Sequence, residues 1–444
     1  MLTATTIRVQ EGGGHIQVSS KCSKERSVWI FNHYAVGPGV PGGTRHYDIG
    51  RELVKLGWQV TVFSAAYPRQ QRQPTRSQPV EVGGNSGSTE VHDGVSFIRV
   101  PALQHGDTYA MRVLSMLSYM LGAIRVTKGL ATPDVIVGSS VHPFAAWIAW
   151  RLARKTGCRY VFEIRDLWPE TIIELGGVSR HHPFIMLLSR IERVLVRNAD
   201  KVVTLLPNAY TYLARFGIPE DKVAVVPNGI DVSRLDDIDR QLPSYIDMEL
   251  NRLQGAFIVA YAGAHGLANR LDTVIDAAAI CSAGGETGIE FLLVGDGPDK
   301  PRLRQRAEEL QLENVTFAGR VDKELVLSLL ARCNAGVIAL TKTALYEYGI
   351  SPNKLFDYML AGLPVVMAGD APNNPVSNGT GGIVVPYDDA DGMAKALVDL
   401  AADRDKAREM GLRGRQYVTR NHSSAHLASL MERALLEALS EADA

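Results

Sequence analysis

The chain has 444 residues, of which 46% are apolar and 21% charged, and its net charge is −1. This composition excludes a disordered or fibrous protein, and the length suggests two or three domains. Four widely spaced cysteines form no C-x-x-C pair, which argues against a zinc ribbon or a disulfide framework and favours a reducing compartment. No apolar run reaches the roughly 18 residues that cross a bilayer. Because residues 1–26 contain no apolar signal core, we interpret them as a disordered polar tail of a cytoplasmic protein.

Charge is divided unequally along the chain. Residues 1–225 carry 26 Lys and Arg against 17 Asp and Glu, a net of +9, whereas the remainder carries a net of −10. A basic first half suggests contact with an anionic partner such as nucleic acid or a membrane surface. Accidental asymmetry is the alternative interpretation.

The first half begins with a βαβ unit. The apolar segment 27–33 predicts a strand, a glycine-rich loop follows, residues 45–56 predict a helix, and the next strand begins at Trp58. Residues 69–94 are rich in Gln, Gly, Ser and Pro and predict a mobile loop. Strands and helices then alternate to about residue 231, which indicates a parallel sheet.

Alternation restarts after a looser stretch over 234–254 and continues toward the C-terminus. Two such series separated by a break favour two doubly wound α/β domains over one barrel. The predicted organisation is a tail (1–26), an N-terminal domain (27–233), a connector (234–254), a C-terminal domain (255–416) and a final helical segment (417–444).

Glycine-rich turns follow strands in both halves. Gly42 and Gly43 lie between a strand and a helix, where backbone N–H groups and the helix N-terminus favour an anion or a sugar. The loop is not a dinucleotide fingerprint, and a plain tight turn remains the alternative. In the second half, the loop 262–270 suits a pyrophosphate, and Gly295 in a GDGP turn suits a base or a ribose.

Polar residues follow two strands of the first half. The segment FEIRDLWPE places Glu163, Arg165, Asp166 and Glu170 at a strand end, where side chains of parallel sheets face ligands. A helix cap with a salt bridge is the competing interpretation. His142 follows another strand at the same level, although a lone histidine is more often structural.

The most informative stretch covers residues 346–366. Pro352, Asn353 and Lys354 begin a predicted helix, and Asp357 lies one turn further along. Lys and Asn near free backbone N–H groups suit a phosphate, and a carboxylate one turn inside suits ribose hydroxyls. Capping alone does not explain a lysine at the positive end of a helix.

Five motifs in this order resemble glycosyltransferase family 4, a group of retaining, nucleotide-sugar-dependent enzymes with the GT-B fold. They are PGGTRHYDIGRELVKLGWQVTVFSA, FEIRDLWPE, VPNGID, LLVGDGP and SPNKLFDYMLAGLPVV, and the resemblance covers residues 27–420. The sequence resembles in particular bacterial transferases of cell-surface polysaccharide assembly, including the N-acetyl-L-fucosaminyl type. The family implies two Rossmann-like domains facing a central cleft, a donor on the second domain, an acceptor on the first, a final helix that returns to the first domain, and no metal.

The resemblance also assigns residues. Asp357 matches the ribose-binding end of the family's Glu-x7-Glu motif, whereas the first glutamate falls on Gly349, with Glu347 nearby but out of register. The family's diphosphate-binding Arg and Lys match Ala264 and Asn269, so both charges are missing. The candidate catalytic residues are His142, Asp166 and Glu347. The candidate donor-binding residues are Gly42, Gly43, Gly266, Leu267, Arg270, Gly295, Asn353, Lys354 and Asp357.

The expected activity is transfer of a sugar, first of all from a UDP-sugar, to a lipid-linked cell-surface glycan. A GT-B nucleotide-sugar 2-epimerase and a non-enzymatic sugar-binding protein are the alternatives. Nucleic-acid binding is disfavoured because Lys and Arg do not cluster between aromatic residues. The predicted helices 111–128 and 181–197 combine apolar runs with flanking Arg and Lys, which favours peripheral contact with the inner face of the cell membrane. Packing of both helices on the sheet is the competing interpretation.

Overall fold

The protein is described here by a computed structural model that covers residues 25–40, 42–66, 88–103, 109–140, 142–285 and 288–440. The predicted disordered tail lies outside the described residues except for its last two. The predicted mobile loop over 69–94 lies outside them up to residue 87. No helix in the described part of the chain combines the length and apolarity needed to cross a membrane.

The first half forms an eight-stranded sheet around short, apolar, buried strands. In chain order the strands are β1 (Arg26–Phe31), β2 (Trp58–Ala66), β3 (Thr89–His92), β4 (Val95–Pro101), β5 (Val135–Ser140), β6 (Arg159–Ile164), β7 (Lys201–Thr204) and β8 (Val223–Val225). Their order in the sheet is β3-β4-β2-β1-β5-β6-β7-β8. Every neighbouring pair is parallel except β3 and β4.

Helices connect these strands and cover both faces of the sheet. They are α1 (Arg45–Lys55), α2 (Tyr109–Val126), α3 (Pro143–Thr156), α4 (Glu170–Gly176), α5 (Pro183–Asn198) and α6 (Ala209–Ala214). The helix expected over 45–56 is therefore α1, whose core-facing residues include Tyr47, Ile49 and Leu53. Ile49 and Leu53 lie four residues apart, about one helical turn, and present an apolar side to the sheet.

The second half forms a separate, six-stranded parallel sheet. Its strands are β9 (Phe257–Ala262), β10 (Ile289–Val294), β11 (Val315–Ala318), β12 (Ala335–Ala339), β13 (Val365–Ala368) and β14 (Gly382–Val385), in the sheet order β11-β10-β9-β12-β13-β14. All neighbouring strands pair in parallel. The predicted fold class, two doubly wound α/β units, is confirmed.

The helices of the second half are α7 to α15. They are α7 (Ser244–Arg252), α8 (Leu271–Ala283), α9 (Lys300–Glu309), α10 (Val326–Leu330), α11 (Asn353–Ala361), α12 (Pro375–Asn378), α13 (Ala390–Ala402), α14 (Arg404–Asn421) and α15 (Ser424–Ser440). The stretch 234–254 is less irregular than its sequence suggested. It contains α7, because Ile246, Leu250 and Leu253 follow a helical spacing and bury one side in the second core.

The last helix packs on the first sheet rather than the second. Leu427, Met431 and Leu435 of α15 share a buried cluster with residues of β1, β2 and β5. Trp58 Nε1 donates to Glu432 Oε1 at 3.1 Å, which adds a polar contact at the same junction. The chain therefore crosses twice between the two sheets, once over residues 226–256 and again before α15.

Strand order determines where each sheet can bind a ligand. In the first sheet the chain proceeds from β1 to β2 on one side and later places β5 on the other side. In the second sheet β9 stands in the same way between β10 and β12. Ligands of doubly wound sheets bind beyond the carboxyl ends of strands at such reversals. The crevices after β1/β5 and β9/β12 are therefore the places to examine.

Candidate active site

A cavity of about 530 Å³ lies between the two sheets. The glycine loop before α1 forms one wall, and the start of α11 with the segment 322–324 forms the opposite wall. Residues 228–240 of the crossing segment and the first turn of α15 close the sides. Both sheets thus contribute to one site, and it has the size of a pocket for a small molecule.

The glycine loop approaches this cavity closely. Gly42 has a φ of 144°, and a Cβ there would lie 3.1 Å from Val36 Cγ2, so a larger residue would be strained. Gly43 lines the cavity, whereas Gly42 does not. Lys323 of the second half donates from Nζ to Thr44 Oγ1 at 2.7 Å, at the N-cap of α1. A direct contact therefore joins the two walls beside the loop.

A buried ionic network fixes the start of α1. Glu163 is fully buried at the end of β6 and accepts from Arg45 Nε at 2.9 Å and from His46 Nε2 at 2.8 Å. Arg45 also donates to the carbonyl oxygens of Val226 and Pro227. Although burial opposes ionisation, the Arg45 charge and the His46 hydrogen bond hold the pKa of Glu163 well below its usual range. Glu163 is internal and has no free face for an acceptor sugar.

The other polar residues of FEIRDLWPE have different environments. Arg165 lines the cavity, and a Cβ at Gly43 would lie 3.6 Å from its Nη2 atom, so its guanidinium lies beside the glycine loop. Asp166 is exposed and does not line the cavity. Glu170 is buried and pairs with Arg180 at 2.8 Å and Arg215 at 2.9 Å. The segment thus supplies one cavity cation and two carboxylates that maintain the structure.

His142 lies beyond β5, at the reversal of the first sheet. It is buried, and its Nε2 atom is 2.8 Å from Nδ1 of His33, which follows β1. Burial holds the pKa of His142 well below its usual range, and the neighbouring His33 adds to this effect. His142 is therefore neutral, and its Nδ1 atom has no hydrogen-bond partner among the described residues. The ring does not line the cavity.

The second sheet places Lys354 at its own reversal. Lys354 Nζ donates to Tyr261 Oη at 2.9 Å and to Asn269 Oδ1 at 2.5 Å, and it lies 4.5 Å from the centre of the Tyr261 ring. Because burial disfavours the ammonium charge, the pKa of Lys354 falls to about 8. No carboxylate pairs with this lysine among the described residues. Its charge is therefore available to an anion at the start of α11.

Asp357 lines the cavity one helical turn after Asn353. Arg234, which the sequence analysis did not single out, donates from Nη1 to Asp357 Oδ1 at 2.6 Å. Arg234 also donates from Nη2 to the carbonyl oxygen of Lys323. Asp357 Oδ2 accepts no hydrogen bond from a described residue, so one carboxylate oxygen remains open toward the cavity.

The remaining candidates lie outside the cavity. Leu267 is 73% exposed, and Gly266 precedes it in the loop after β9. Arg270 pairs with Asp388 at 2.6 Å. Gly295 has a φ of 137°, and a Cβ there would lie 1.9 Å from the carbonyl oxygen of Gly263, so the two loops touch through backbone.

Glu347 is exposed on a turn over Ala344–Tyr348 and makes no hydrogen bond or ion pair with a described residue. The structure thus brings Gly43, Asn353 and Asp357 together around the cavity, with Lys354 on the same helix end. It leaves His142, Asp166, Glu347 and Arg270 outside.

Sequence reasoning missed four contributors to this site: His33, Arg234, Tyr261 and Lys323. All four act through partners more than 90 positions away, which no local pattern reveals. In the described part of the chain, no group of three His, Cys, Asp or Glu side chains is arranged to hold a metal ion.

Comparisons with known proteins match both halves of the chain. Residues 42–229 match the glycosyl transferase 4-like domain, and residues 256–403 match glycosyl transferases group 1. A putative colanic acid biosynthesis glycosyl transferase of Escherichia coli is 24% identical over 241 residues, which are 54% of this chain and 58% of that protein. Alpha-maltose-1-phosphate synthase of Mycolicibacterium smegmatis is 26% identical over 88% of this chain and 94% of its own length.

Solved structures agree on the fold. Sucrose-phosphate synthase from Thermosynechococcus elongatus superposes with a TM-score of 0.70 at 19% identity, covering 94% of this chain and all of that one. The Anabaena protein HepE, solved in complex with UDP-glucose, superposes with a TM-score of 0.63 at 16% identity, covering 94% of this chain and 99% of that one. Two paired doubly wound units and two matched domains in the same order lead to one conclusion: the chain belongs to the GT-B glycosyltransferases of the family 4 type.

Proposed function

We propose that this glycosyltransferase transfers a sugar, with retention of anomeric configuration, from a UDP-sugar to a polyprenyl-linked cell-surface glycan. The observation that carries the proposal is the start of α11, where Asp357 lines the cavity between the two sheets and Lys354 lies on the same helix end without a carboxylate partner among the described residues. A cation and free backbone N–H groups suit a diphosphate, and a carboxylate one turn further suits ribose hydroxyls.

Donor binding follows from these positions. Asp357 Oδ2 is open and accepts from a ribose hydroxyl, while Arg234 holds Oδ1 and keeps the carboxylate oriented. Lys354 Nζ gives up its neutral partners Tyr261 and Asn269 for a phosphate oxygen, which is the stronger acceptor. The glycine loop contributes backbone N–H groups and Arg165 a second charge from the opposite wall.

Transfer then requires few protein groups. In a front-face displacement the bond between the anomeric carbon and the diphosphate oxygen breaks, and a bond to the acceptor oxygen forms on the same face. The leaving phosphate oxygen takes the proton of the acceptor hydroxyl. Charge grows on the diphosphate during this step, so fixed cations and helix N-termini stabilise the transition state more than the ground state. His142, Asp166 and Glu347 are proposed to orient the sugar and the acceptor.

Other proteins support the substrate classes. HepE was solved with UDP and glucose and with UDP-glucose, and a trehalose-6-phosphate enzyme of similar fold was solved with UDP-2-fluoro glucose. Two relatives are named as putative colanic acid biosynthesis glycosyltransferases, and a further structure of similar fold belongs to a lipopolysaccharide biosynthesis enzyme. A UDP-sugar donor and a surface-glycan acceptor are the proposals these names favour.

A lipid-linked acceptor requires a membrane-facing surface, and we propose α2 and α5 for this role. On α2, apolar side chains at intervals of three or four residues are exposed: Met111, Leu114, Leu117, Leu121 and Ile124. Met186 and Leu187 of α5 are 58% and 50% exposed. Met116 and Leu188 share a buried cluster with Phe144, so the two helices flank one another. Exposed basic residues, including Arg125, Lys128, Arg190 and Arg193, accompany the apolar side chains. We propose that this surface binds anionic lipid.

Vesicle co-sedimentation tests the membrane surface. Wild-type protein should bind vesicles that contain anionic lipid and be released by salt, because surface charge is screened over about 8 Å at physiological ionic strength. Replacing Leu117 and Leu121 by Ser, or Arg190 and Arg193 by Glu, should reduce binding. Leu412→Ser, at an exposed apolar position of the second half, should not. Absence of wild-type binding at low salt would contradict the membrane surface and favour a soluble acceptor.

A transfer assay tests the activity itself. Labelled UDP-, GDP- and dTDP-sugars are incubated with the enzyme and a bacterial lipid-glycan fraction, and the label in the lipid phase is counted. Label should enter the lipid only with one donor, and the new linkage should keep the donor's anomeric configuration. Conversion of the nucleotide sugar to an epimer without acceptor would instead identify a 2-epimerase. Binding without turnover would identify a sugar-binding protein.

A further inference from the structure

His33 and His142 meet at the reversal of the first sheet. Their parent strands β1 and β5 are adjacent and parallel, and each histidine follows its strand by two residues. Asn32 Nδ2 also donates to Ser139 Oγ at 2.9 Å, so a second polar contact joins the same strand ends. Both histidines are buried, at 2% and 1% exposure, and His33 Nδ1 is 2.8 Å from His142 Nε2.

The His33 ring is held in a fixed plane. It stacks on Tyr34 at 4.6 Å and on Tyr119 at 4.8 Å, with an angle of 9° in each case. It is nearly perpendicular to His142, at 87°. The two stacked neighbours hold the plane of the His33 ring, and Nδ1 lies on the edge of the ring that faces His142.

The chain contains a natural comparison for His142. The tripeptide His-Pro-Phe occurs twice, at 142–144 and at 182–184, and in both places the histidine is the N-cap of a helix. His182 Nδ1 accepts from the backbone N–H of Phe184 at 3.2 Å and so caps α5. His142 makes no such cap with α3, although its local sequence is the same.

The two histidines differ in backbone φ, −150° at His142 and −63° at His182, and in the partner outside the helix. His182 is exposed and makes the local hydrogen bond that its position offers. His142 is bound by His33 and leaves its own Nδ1 without a partner among the described residues. An unpaired nitrogen in a buried ring costs free energy, and a local cap would relieve that cost. The contact with His33 therefore acts together with the more extended backbone of His142 to keep the ring from capping.

We propose that His33 is a positioning residue that holds the His142 imidazole away from the α3 cap, so that Nδ1 stays free for the reacting sugar. The inference rests on the proposed function, in which His142 orients the sugar. It also predicts the geometry of a variant. Without His33, the His142 ring should turn to cap α3 as His182 caps α5.

The test combines three variants at and around His33 with His142→Ala, which measures the role of His142 itself. His33→Leu removes the hydrogen bond and keeps an apolar filler between the tyrosines. His33→Asn returns a polar nitrogen close to the position of Nδ1. Tyr119→Phe is the matched control, because it keeps the stacked ring and removes only the hydroxyl that donates to the carbonyl oxygen of Phe63.

In steady-state kinetics, kcat of His33→Leu should fall about 10- to 100-fold, the size expected when a buried hydrogen-bond partner is lost. The donor KM should change less than threefold, since the nucleotide binds to the second sheet. His33→Asn should recover part of kcat, and Tyr119→Phe should retain it.

The crystal structure of His33→Leu provides a readout that does not depend on activity. We expect His142 Nδ1 within hydrogen-bond distance of the Phe144 backbone N–H. A His142 ring that keeps its present orientation would overturn the proposal, as would unchanged kcat in His33→Leu when His142→Ala is inactive. Full activity of His142→Ala would overturn the role of His142 itself, and the structure would still decide whether His33 positions the ring. Absence of any sugar transfer in wild type would contradict the proposed function and leave that structural test intact.

Discussion

The polar groups that the two sheets place near the cavity differ in how completely they are paired. At the first sheet, the buried Glu163 carboxylate is paired with the Arg45 guanidinium and hydrogen-bonded to the His46 ring. At the second sheet, the partners of Lys354 among the described residues are neutral, and Asp357 keeps one oxygen open. The fully paired groups around Glu163 fix the shape of the glycine loop. The incompletely paired Lys354 and Asp357 can still bind a ligand. A charged side chain at a strand end therefore identifies a ligand site only when its hydrogen-bond and ion-pair partners are incomplete.

The largest expected effect comes from breaking the pairing around Glu163. Glu163→Ala leaves Arg45 buried without its carboxylate, and removing one partner of a buried ion pair costs about 3–5 kcal/mol. The free energy of unfolding in urea should fall by that amount. Lys395→Ala is the control, because Lys395 pairs with Asp399 on an exposed face of α13 and such pairs contribute under about 1 kcal/mol. A loss below 1 kcal/mol for Glu163→Ala would contradict a structural role.

A second buried glutamate of the first half, Glu192, differs from Glu163 in the direction of its pKa shift. Glu192 of α5 accepts a hydrogen bond from Tyr212 Oη at 2.7 Å, and Arg215 Nη2 lies 3.6 Å from its other carboxylate oxygen. Burial raises the pKa of Glu192 to about 8. The pKa of Glu192 is higher in the folded protein than in the unfolded chain. Its contribution to the free energy of unfolding is therefore fully present below about pH 4.5 and is lost as the pH rises toward 8.

Glu192→Gln removes a titrating group and keeps the shape. Between pH 6 and pH 8 the unfolding free energy of wild type should therefore fall by about 2 kcal/mol relative to the variant. Urea unfolding at three pH values measures the difference. Parallel pH curves for the two proteins would show that Glu192 is ionised in the fold.

A smaller effect is expected for the pH dependence of donor binding, which depends on Lys354. Lys354 has a pKa of about 8 without ligand, and a bound diphosphate favours its charged form. Affinity for a nucleoside diphosphate sugar should therefore be constant below pH 7 and fall about tenfold by pH 9. Lys354→Arg is the control, since arginine stays charged throughout this range. Equal pH dependence in both proteins would exclude Lys354 from the diphosphate site.

The smallest expected effect concerns metal ions. If lysine, arginine and helix N-termini hold the diphosphate, no divalent cation is required, and sugar transfer should survive EDTA within experimental error. Initial rates with EDTA, and with Mg²⁺ or Mn²⁺ added back, measure this. Loss of activity on chelation with recovery on metal addition would contradict a metal-free site.

The sequence was sufficient to predict the fold and the start of α11, which forms one wall of the cavity. Buried apolar strands alternate with helical spacing, and a proline before Asn353 and Lys354 marks the start of α11. The partners of those residues were not predictable, because Arg234 and Asp357 are 123 positions apart and His33 and His142 are 109 apart. Glu163 was a candidate ligand contact in the sequence, and only the structure shows its charge already paired. Which distant side chains meet depends on the order of the strands in the sheet. Local sequence patterns do not encode that order.

Donor binding tests the central claim, that a nucleoside diphosphate occupies the start of α11. Isothermal titration with UDP, GDP and dTDP is carried out on wild type, Asp357→Ala and Lys354→Met, with Lys395→Ala as a control. One nucleotide should bind wild type and the control equally. Each site variant should weaken it about 10- to 150-fold, the equivalent of losing about 1.5–3 kcal/mol from one charged hydrogen-bond partner. Unchanged affinity in both site variants would place the nucleotide elsewhere and contradict the account.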